Sequence, residues 1–351
     1  MLAAHHKQVR ITSTGIYLPD TVYTNEQIIE RIKRTINNPE DPRLRDLDAE
    51  KITANTGINT RHYADMTREE NPETAVNMSC IALNRALKRA DWDVLELDFI
   101  IFATVSVGNN PGDHLIPSAA CHLQQDIGAY NAMAYDLKAA CSGWVYGMSQ
   151  AIANIEAGLA AKGAVICTET QERGLDYSDP ASCVLMGDVA TATLVEKSEN
   201  PDALFLHLEA NSKRQLKGIL RLNDANVYDD ENSLTRPIFR LNGTSVYKEG
   251  IRTMSRLVKD TLQATGLSIE DVDHFIFHQA NGSMLKRVAK MTGIPAEKNL
   301  MNIQKIGNTT SGTIPSVLHM FLEDGTIQRH HKVLFISFGG GLTAGALLMN
   351  I

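Results

Sequence analysis

The second half of this chain repeats the order of apolar strands and helices in its first half, and this repeat limits the possible folds. Segment 91–102 resembles segment 268–277, since each follows a helix and ends in an apolar strand. These copies lie about 175 residues apart, and Cys141-Ser-Gly143 aligns with Thr310-Ser-Gly312 at a spacing of about 169 residues. Solenoid repeats have periods of about 20 to 50 residues, so we interpret this one as a duplicated βαβ unit.

The strands of both copies are almost continuously apolar, and helices lie between them. Strands that are buried on both faces have this pattern. We therefore expect an α/β fold with two pseudo-symmetric halves, residues 1–198 and 199–351, whose crossover loops meet at one site. The symmetry would bring the helix that starts at Cys141 close to Asn308 and to His278, which follows a strand.

Composition and charge restrict the class of protein. A formal net charge of −7 over 351 residues argues against general nucleic-acid binding. No apolar run is long enough to span a membrane, and the first residues lack the apolar core of a signal peptide. Five cysteines without a CxxC pair indicate a reduced, cytoplasmic protein without a zinc signature. We expect no nucleic-acid or membrane partner.

Cys141 is the candidate nucleophile. It stands between two alanines and a Ser-Gly pair, at the predicted start of an apolar helix that runs to about Ala157. The positive end of a helix dipole favours a thiolate, which can accept an acyl group. Most free cysteines are instead small buried hydrophobic residues. The local sequence leaves both interpretations open.

Three other motifs follow predicted strands or enter predicted helices. His278-Gln-Ala-Asn281 comes after the apolar strand 275–277, where ligand sites of α/β proteins lie. Gly307-Asn-Thr309 enters a helix, and Phe338-Gly-Gly-Gly341 would let the backbone come close to a ligand. Each motif alone also fits a packed histidine, a helix cap or a turn. Their order around the repeat favours one common site.

Together with Ala139-Ala-Cys-Ser-Gly143 and Gly187-Asp188, these motifs resemble those of the thiolase superfamily, specifically the β-ketoacyl-acyl-carrier-protein synthase III group. The resemblance extends over almost the whole chain. It implies a thiolase-like duplicated fold in five αβαβα layers. It also implies a homodimer, with the segment 106–117 near the partner.

The resemblance further implies an acyltransferase that performs a decarboxylative Claisen condensation in fatty-acid or related polyketide synthesis. Cys141 would accept an acyl group, and His278 and Asn308 would donate hydrogen bonds to a malonyl thioester as CO₂ leaves. The N–H groups of Cys141 and Gly340 would hold the tetrahedral oxyanion, and Phe338 would line the acyl pocket. The substrates would be acyl-coenzyme A or acyl carrier protein thioesters and malonyl carrier protein, without a metal or redox cofactor.

Three features depart from the family pattern. Lys51 and Asn55 stand where family members usually hold coenzyme A with a tryptophan and an arginine, and Asp179-Pro-Ala-Ser-Cys183 lacks a second arginine. Because neither lysine nor asparagine replaces a planar guanidinium, we expect delivery by a carrier protein or a different set of contacts. Ile116 stands where members restricted to two-carbon primers tend to carry phenylalanine, so we expect longer primers to be accepted.

A basic cluster follows the His278 motif. Lys286, Arg287 and Lys290 lie on one predicted helix, and Arg252 and Arg256 would extend the cluster. Lys286 and Lys290 share a helix face. A docking surface for the acidic acyl carrier protein and an ordinary solvated helix surface are both consistent with this pattern.

Other functions on the same fold remain open. An acyltransferase could pass the acyl group from Cys141 to an alcohol or amine without decarboxylation, and a specialised ketosynthase could serve a secondary lipid pathway. A non-catalytic subunit of a condensing complex is a further alternative. The presence of His278 and Asn308 favours condensation, since acyl transfer alone does not need two donors on a malonyl thioester.

Overall fold

The computed structural model describes residues 4–106, 116–200, 202–210, 228–230, 233–234 and 243–351. The strands are β1 Ala4–Lys7, β2 Val9–Tyr17, β3 Thr21–Thr24, β4 Thr60–Tyr63, β5 Phe99–Ala103, β6 Met133–Leu137, β7 Lys162–Glu169, β8 Val189–Lys197, β9 Ala203–Ala210, β10 Tyr228–Asp230, β11 Ser233–Leu234, β12 His274–Phe277, β13 Lys332–Gly339 and β14 Thr343–Asn350. The α-helices are α1 Asn25–Ile36, α2 Ala49–Thr56, α3 Ala75–Ala90, α4 Ala119–Ile127, α5 Gly143–Glu156, α6 Pro180–Cys183, α7 Gly243–Thr265, α8 Gly282–Thr292, α9 Ile303–Ile306 and α10 Thr313–Glu323.

The described strands include two five-stranded sheets, β2-β8-β7-β5-β6 and β1-β9-β14-β13-β12. Four strands correspond, β2-β8-β7-β5 to β9-β14-β13-β12, and β6 and β1 are additional edge strands. In the first sheet, β7 is parallel to β5 and antiparallel to β8. In the second sheet, β13 is likewise parallel to β12 and antiparallel to β14. Individual hydrogen bonds are also duplicated. The Asp98 N–H donates to the Lys162 carbonyl, and the Asp273 N–H donates to the Lys332 carbonyl, both at 2.9 Å. Strand β1 crosses from the start of the chain into the second sheet.

Helices cover both sheets and also fill the space between them. Helices α3 and α4 pack on the outer face of the first sheet, and α7 and α8 on the outer face of the second. Helices α5 and α10 lie between the sheets, where the rings of Trp144 and Phe335 from opposite halves contact each other at 4.8 Å. The predicted five-layered, thiolase-like α/β architecture is therefore confirmed. Within the described ranges, no helix is long and apolar enough to cross a membrane.

The two helices between the sheets begin in the same way. A single 3₁₀ turn precedes α5 and another precedes α10, and each turn opens with a left-handed residue, Ala140 at φ 47° and Thr310 at φ 49°. These two residues are equivalent, and Cys141 is therefore equivalent to Ser311. The sequence alignment of Cys141 with Thr310 is wrong by one residue, because it matched the Ser-Gly identity and not the position of the left-handed turn.

Candidate active site at Cys141

Cys141 lies in the 3₁₀ turn that enters α5, and both halves of the molecule hold this turn. The Ser142 N–H donates to the Ala139 carbonyl at 3.0 Å and closes the turn. The hydroxyl of Thr343, from the second half, donates to the same carbonyl at 3.0 Å. The left-handed backbone at Ala140 would cost about 1 to 3 kcal/mol in isolation, so these contacts are needed to keep it.

Two glycines bring the end of β13 against this turn. A Cβ atom on Gly339 would lie 2.8 Å from the Cys141 nitrogen and 2.9 Å from the Ser142 nitrogen, so only glycine permits this approach. The backbone N–H groups of Cys141 and Gly340 lie near the Cys141 sulfur and lower the pKa of its thiol. This is the pair that the sequence analysis assigned to the oxyanion, and two fixed donors beside a nucleophile are what such a site requires.

The thiol of Cys141 is protonated at neutral pH. Burial raises its pKa to about 12, and the nearby Glu169 carboxylate contributes in the same direction. The two N–H groups do not offset these effects. Our expectation that the helix dipole favours a thiolate is therefore wrong for the free site, because burial and a neighbouring anion dominate.

His278 is buried at the end of β12 as a neutral imidazole, because burial lowers its pKa to about 3. Its Nδ1 lies 2.8 Å from the Thr313 hydroxyl, which is also 3.0 Å from the Thr310 carbonyl. That hydroxyl has one proton, so it donates either to the carbonyl or to Nδ1. When it donates to Nδ1, the His278 Nε2 carries the ring proton and becomes a hydrogen-bond donor.

Asn308 lies in the loop before α10, and its backbone is tied to the first half. Its N–H donates to the Leu185 carbonyl at 2.8 Å, and its carbonyl accepts from the Gly187 N–H at 3.1 Å. Its side-chain oxygen accepts from the Thr310 N–H at 3.0 Å. Because the Thr310 N–H must face the amide oxygen, the NH₂ group of Asn308 points elsewhere and can act as a donor.

The two helix entrances meet at the interface between the halves. The turns 140–142 and 310–312 contact each other, and a Cβ on Gly143 would lie 2.9 Å from the Ser311 Cβ. The first turn carries Cys141. Asn308 bonds directly to the second turn, and His278 contacts it through the Thr313 hydroxyl. The pseudo-symmetry thus brings the three sequence motifs to one place.

Several functional candidates in this region were missed by the sequence analysis. The side-chain amide of Gln171 donates to the Thr310 hydroxyl. Asp188 accepts the N–H groups of Gln171 at 2.6 Å and Ala64 at 2.9 Å, and burial raises the pKa of Asp188 to about 8. Asp188 belongs to a Gly-Asp turn that the sequence motifs include. Glu169 ends β7 and Gln171 follows it, both without a local motif, so only their contacts identify them.

The two predicted acyl-pocket residues lie apart from this centre. The Ile116 side chain is 84% exposed, and residues 107–115 of the preceding segment lie outside the described residues. Phe338 is 3% exposed, and a Cβ on Gly250 would lie 3.4 Å from its ring. The ring therefore packs beneath α7, on the sheet face opposite to α5. Both assignments to an acyl pocket stay predictions.

The basic cluster is exposed on α8. Lys286, Arg287 and Lys290 all face solvent, and within the described part of the chain no carboxylate forms an ion pair with them. Three cations on 1.5 turns of helix create a local positive field on a protein of net negative charge.

The two arginines that were expected to extend this cluster are engaged elsewhere. Arg252 forms an ion pair with Glu249 at 2.5 Å on α7. Arg256 bonds to Glu209 and to Asp260, the latter at 2.8 Å. Because these carboxylates neutralise them, Arg252 and Arg256 do not add free positive charge to the cluster.

Lys51 and Asn55, which stand at the usual coenzyme A contact positions, both form contacts within this chain. Lys51 forms an ion pair with Asp46 at 2.9 Å. The carbonyl of Asn55 accepts a hydrogen bond from the Asn281 side chain at 3.2 Å, which joins α2 to α8. Neither side chain offers a planar surface on which an adenine could stack.

Comparisons with known families agree with this geometry. The model of 3-oxoacyl-[acyl-carrier-protein (ACP)] synthase III matches residues 135–213, which include Cys141. The model of the C-terminal part of the same family matches residues 262–351, which include His278 and Asn308.

Full-length relatives extend the match to nearly all of the chain. The beta-ketoacyl-[acyl-carrier-protein] synthases III of Alkalilimnicola ehrlichii and Methylococcus capsulatus are each 35% identical to it, over 97% of this chain and 98% of the relative. The crystal structure of 3-oxoacyl-[acyl-carrier-protein] synthase III from Aquifex aeolicus superposes with a TM-score of 0.84 at 33% identity, covering 98% of this chain and 100% of that chain. This chain belongs to the β-ketoacyl-acyl-carrier-protein synthase III family.

Proposed function

We propose that this protein transfers an acyl group to Cys141 and then condenses it with malonyl carrier protein, in fatty-acid or related polyketide synthesis. The observation that supports the proposal is the contact between the turn of Cys141 and the turn 310–312. Asn308 bonds to the second turn at Thr310, and His278 contacts it through the Thr313 hydroxyl. The N–H groups of Cys141 and Gly340 lie near the Cys141 sulfur.

In the first step the Cys141 sulfur attacks the carbonyl of an acyl thioester. The oxyanion forms beside the two N–H groups, and the carbon–sulfur bond of the donor breaks. The proton of the Cys141 thiol passes to the departing thiolate, so the site returns to its original charge. Fixed donors of this kind typically contribute about 10²- to 10³-fold each to the rate.

In the second step a malonyl thioester loses CO₂, and the electrons of the broken carbon–carbon bond move onto the thioester oxygen as an enolate. Neutral His278 and the Asn308 amide would donate to that oxygen. The enolate carbon attacks the acyl-Cys141 carbonyl, and the Cys141 thiolate leaves and takes up a proton. The scheme passes no electrons to or from an external carrier, and hydrogen-bond donors stabilise its negative charges. It therefore needs neither a redox cofactor nor a metal.

The test is intact-mass measurement after incubation with acyl thioesters of increasing chain length. We expect wild type to gain one acyl group and Cys141→Ala to gain none, and added malonyl carrier protein to remove the group with release of CO₂. Removal by alcohols or amines without CO₂ would instead identify the alternative acyltransferase. The absence of any acyl adduct on wild type would refute both.

Carrier-protein delivery is supported by the free positive charge of Lys286, Arg287 and Lys290. It is also supported by the absence of a stacking group at Lys51 and Asn55. We infer that acyl carrier protein brings the extender and competes well with coenzyme A as acyl donor. All five cysteines are free thiols, which supports a cytoplasmic enzyme.

A homodimer would explain the exposed apolar residues beside the edge strand β6. Val105, Ile116, Tyr130 and Met133 are all more than two-fifths exposed. We propose that a second copy covers them and that Ile116 then helps to enclose an acyl pocket, open to primers longer than acetyl. Sedimentation gives the oligomeric state, and Ile116→Phe should shorten the accepted primer. Activity of wild type with acetyl primer alone would contradict this proposal.

A further inference from the structure

Glu169 is a buried carboxylate that joins the two halves next to Cys141. It is the last residue of β7 and has no exposed surface. One oxygen accepts from the Val105 N–H at 3.1 Å and the Ser106 hydroxyl at 2.7 Å. The other accepts from the Ser311 hydroxyl at 2.5 Å and the Ser311 N–H at 3.4 Å. Every acceptor position of the carboxylate faces a donor, which is the environment of an ionised group.

The pseudo-symmetry shows what is unusual about this carboxylate. Glu169 ends β7 as Gly339 ends β13, and Ser311 is the equivalent of Cys141. At Cys141, the strand end Gly339 has no side chain to place against the Cys141 N–H. In the other half, the carboxylate fills the corresponding space and accepts the N–H of Ser311. The Cys141 N–H is thus not covered by a side chain from the strand end, whereas the Ser311 N–H already has the Glu169 carboxylate as its acceptor.

The Glu169 carboxylate also acts electrostatically on the turn of Cys141. Burial raises the pKa of both Cys141 and Cys167, and the Glu169 charge raises both further. Burial raises the pKa of Glu169 itself to about 7. Of the other buried titratable groups here, His278 is neutral with a pKa lowered by burial to about 3, and Asp188 has a pKa raised by burial to about 8.

We propose that Glu169 is a positioning residue that fixes the turn of Ser311 and controls the proton on Cys141. The negative charges of ionised Glu169 and of a Cys141 thiolate repel each other. The pair therefore carries one negative charge over a broad pH range. The resting thiol stays protonated and unreactive while Glu169 is ionised. The consequence for acyl transfer rests on the proposed function, but the proton coupling does not.

The coupling can be measured by alkylation of Cys141 with iodoacetamide from about pH 6 to about pH 9, followed by mass spectrometry of the Cys141 peptide. In wild type the logarithm of the rate should rise with pH, flatten above about pH 7 where Glu169 ionises, and rise again. In Glu169→Gln the plateau should vanish, and alkylation above the plateau pH should be about tenfold faster, equivalent to one pKa unit. Glu169→Asp keeps the charge and should keep the plateau.

A second variant covers the case in which Glu169→Gln does not fold. Ser106→Ala removes one donor to the carboxylate, so the pKa of Glu169 should rise and the plateau should begin at higher pH. A wild-type profile of constant slope, or coincident profiles for the Gln and Asp variants, would overturn the proposal. Failure of the proposed function would appear separately, as the absence of an acyl adduct, or an adduct that malonyl carrier protein does not remove, in a protein with an intact plateau.

Discussion

Cys141 and Ser311 occupy equivalent positions in the two halves of the molecule. Each follows a left-handed residue and precedes a helix between the sheets, and the two turns contact each other. Their surroundings differ at one strand end, where Gly339 faces Cys141 and Glu169 faces Ser311. The duplication therefore supplies the same backbone turn twice, with glycine at the strand end beside Cys141 and glutamate at the strand end beside Ser311.

Asn308→Ala should separate acyl transfer from decarboxylation. It removes the NH₂ donor while Cys141 and its two N–H donors stay in place, so we expect CO₂ release from malonyl carrier protein to fall about 10²- to 10³-fold. Acylation of Cys141, read by intact mass, should change little. Asn131→Ala, an exposed asparagine bonded to the Leu95 carbonyl, is the control and should leave both rates unchanged. Equal losses in the two steps would contradict the assigned role of Asn308.

Gly339→Ala should disrupt the site through sterics alone. The new methyl group would lie within 3.0 Å of the Cys141 and Ser142 nitrogens, so the turn must move, at a cost of about 1 to 3 kcal/mol in unfolding free energy. We expect thermal unfolding at a lower temperature and at least about tenfold slower Cys141 acylation. Gly243→Ala is the matched control, since nothing lies within 4 Å of its Cβ position. A Gly339→Ala enzyme with unchanged acylation would show that the close approach is not required.

Stability should fall as pH rises from about 6.5 to about 8. Burial raises the folded-state pKa of Glu169 to about 7 and of Asp188 to about 8, so the folded protein binds protons that the unfolded chain releases. Burial also lowers the pKa of His278 to about 3 and of His319 to about 4, which favours stability with rising pH, but that effect ends near the unfolded value of 6.5. Above that pH only the two acids act.

Asp188→Asn tests this balance. Its amide oxygen can accept only one of the two backbone N–H groups that Asp188 accepts, so the variant should be about 1 to 3 kcal/mol less stable at about pH 6.5. The difference in stability between wild type and Asp188→Asn should be smaller at about pH 8, since wild type must then bury a charge and asparagine has none. Differential scanning calorimetry at both pH values gives the comparison, with shifts of about 2 to 4 °C expected. A gap that widens with pH would reverse the assigned sign.

Reversing charge on α8 should weaken use of the carrier protein without altering the chemistry. Lys286→Glu with Arg287→Glu should raise the apparent KM for malonyl carrier protein about tenfold, with more effect at low salt. Hydrolysis of a small thioester should be unchanged. Lys88→Glu, an exposed lysine on α3, is the control. If both substrates respond alike, or the control behaves like the double variant, the cluster is an ordinary solvated surface.

The sequence by itself determined the layered fold and the candidate residues of the site, because both follow from local patterns along the chain. Apolar strands that alternate with helices, repeated at long spacing, determine which faces are buried. The glycines at 339 and 340 and the His278 motif follow strands whose ends must meet at one sheet edge. The helix at Cys141 was also predictable, since its residues pack between the sheets along its whole length.

Only the tertiary structure decided the electrostatics and the partners of these side chains. Glu169 and Gln171 have no motif, because their roles come from residues more than 100 positions away, Ser311 and Thr310. The protonated state of Cys141 could not be read from its helix, since burial and a neighbouring carboxylate outweigh a dipole. Arg256 looked free in sequence, but a distant strand supplies its carboxylate partner, Glu209. Periodicity predicts which surfaces are buried, whereas charge and proton position depend on atoms that only folding brings together.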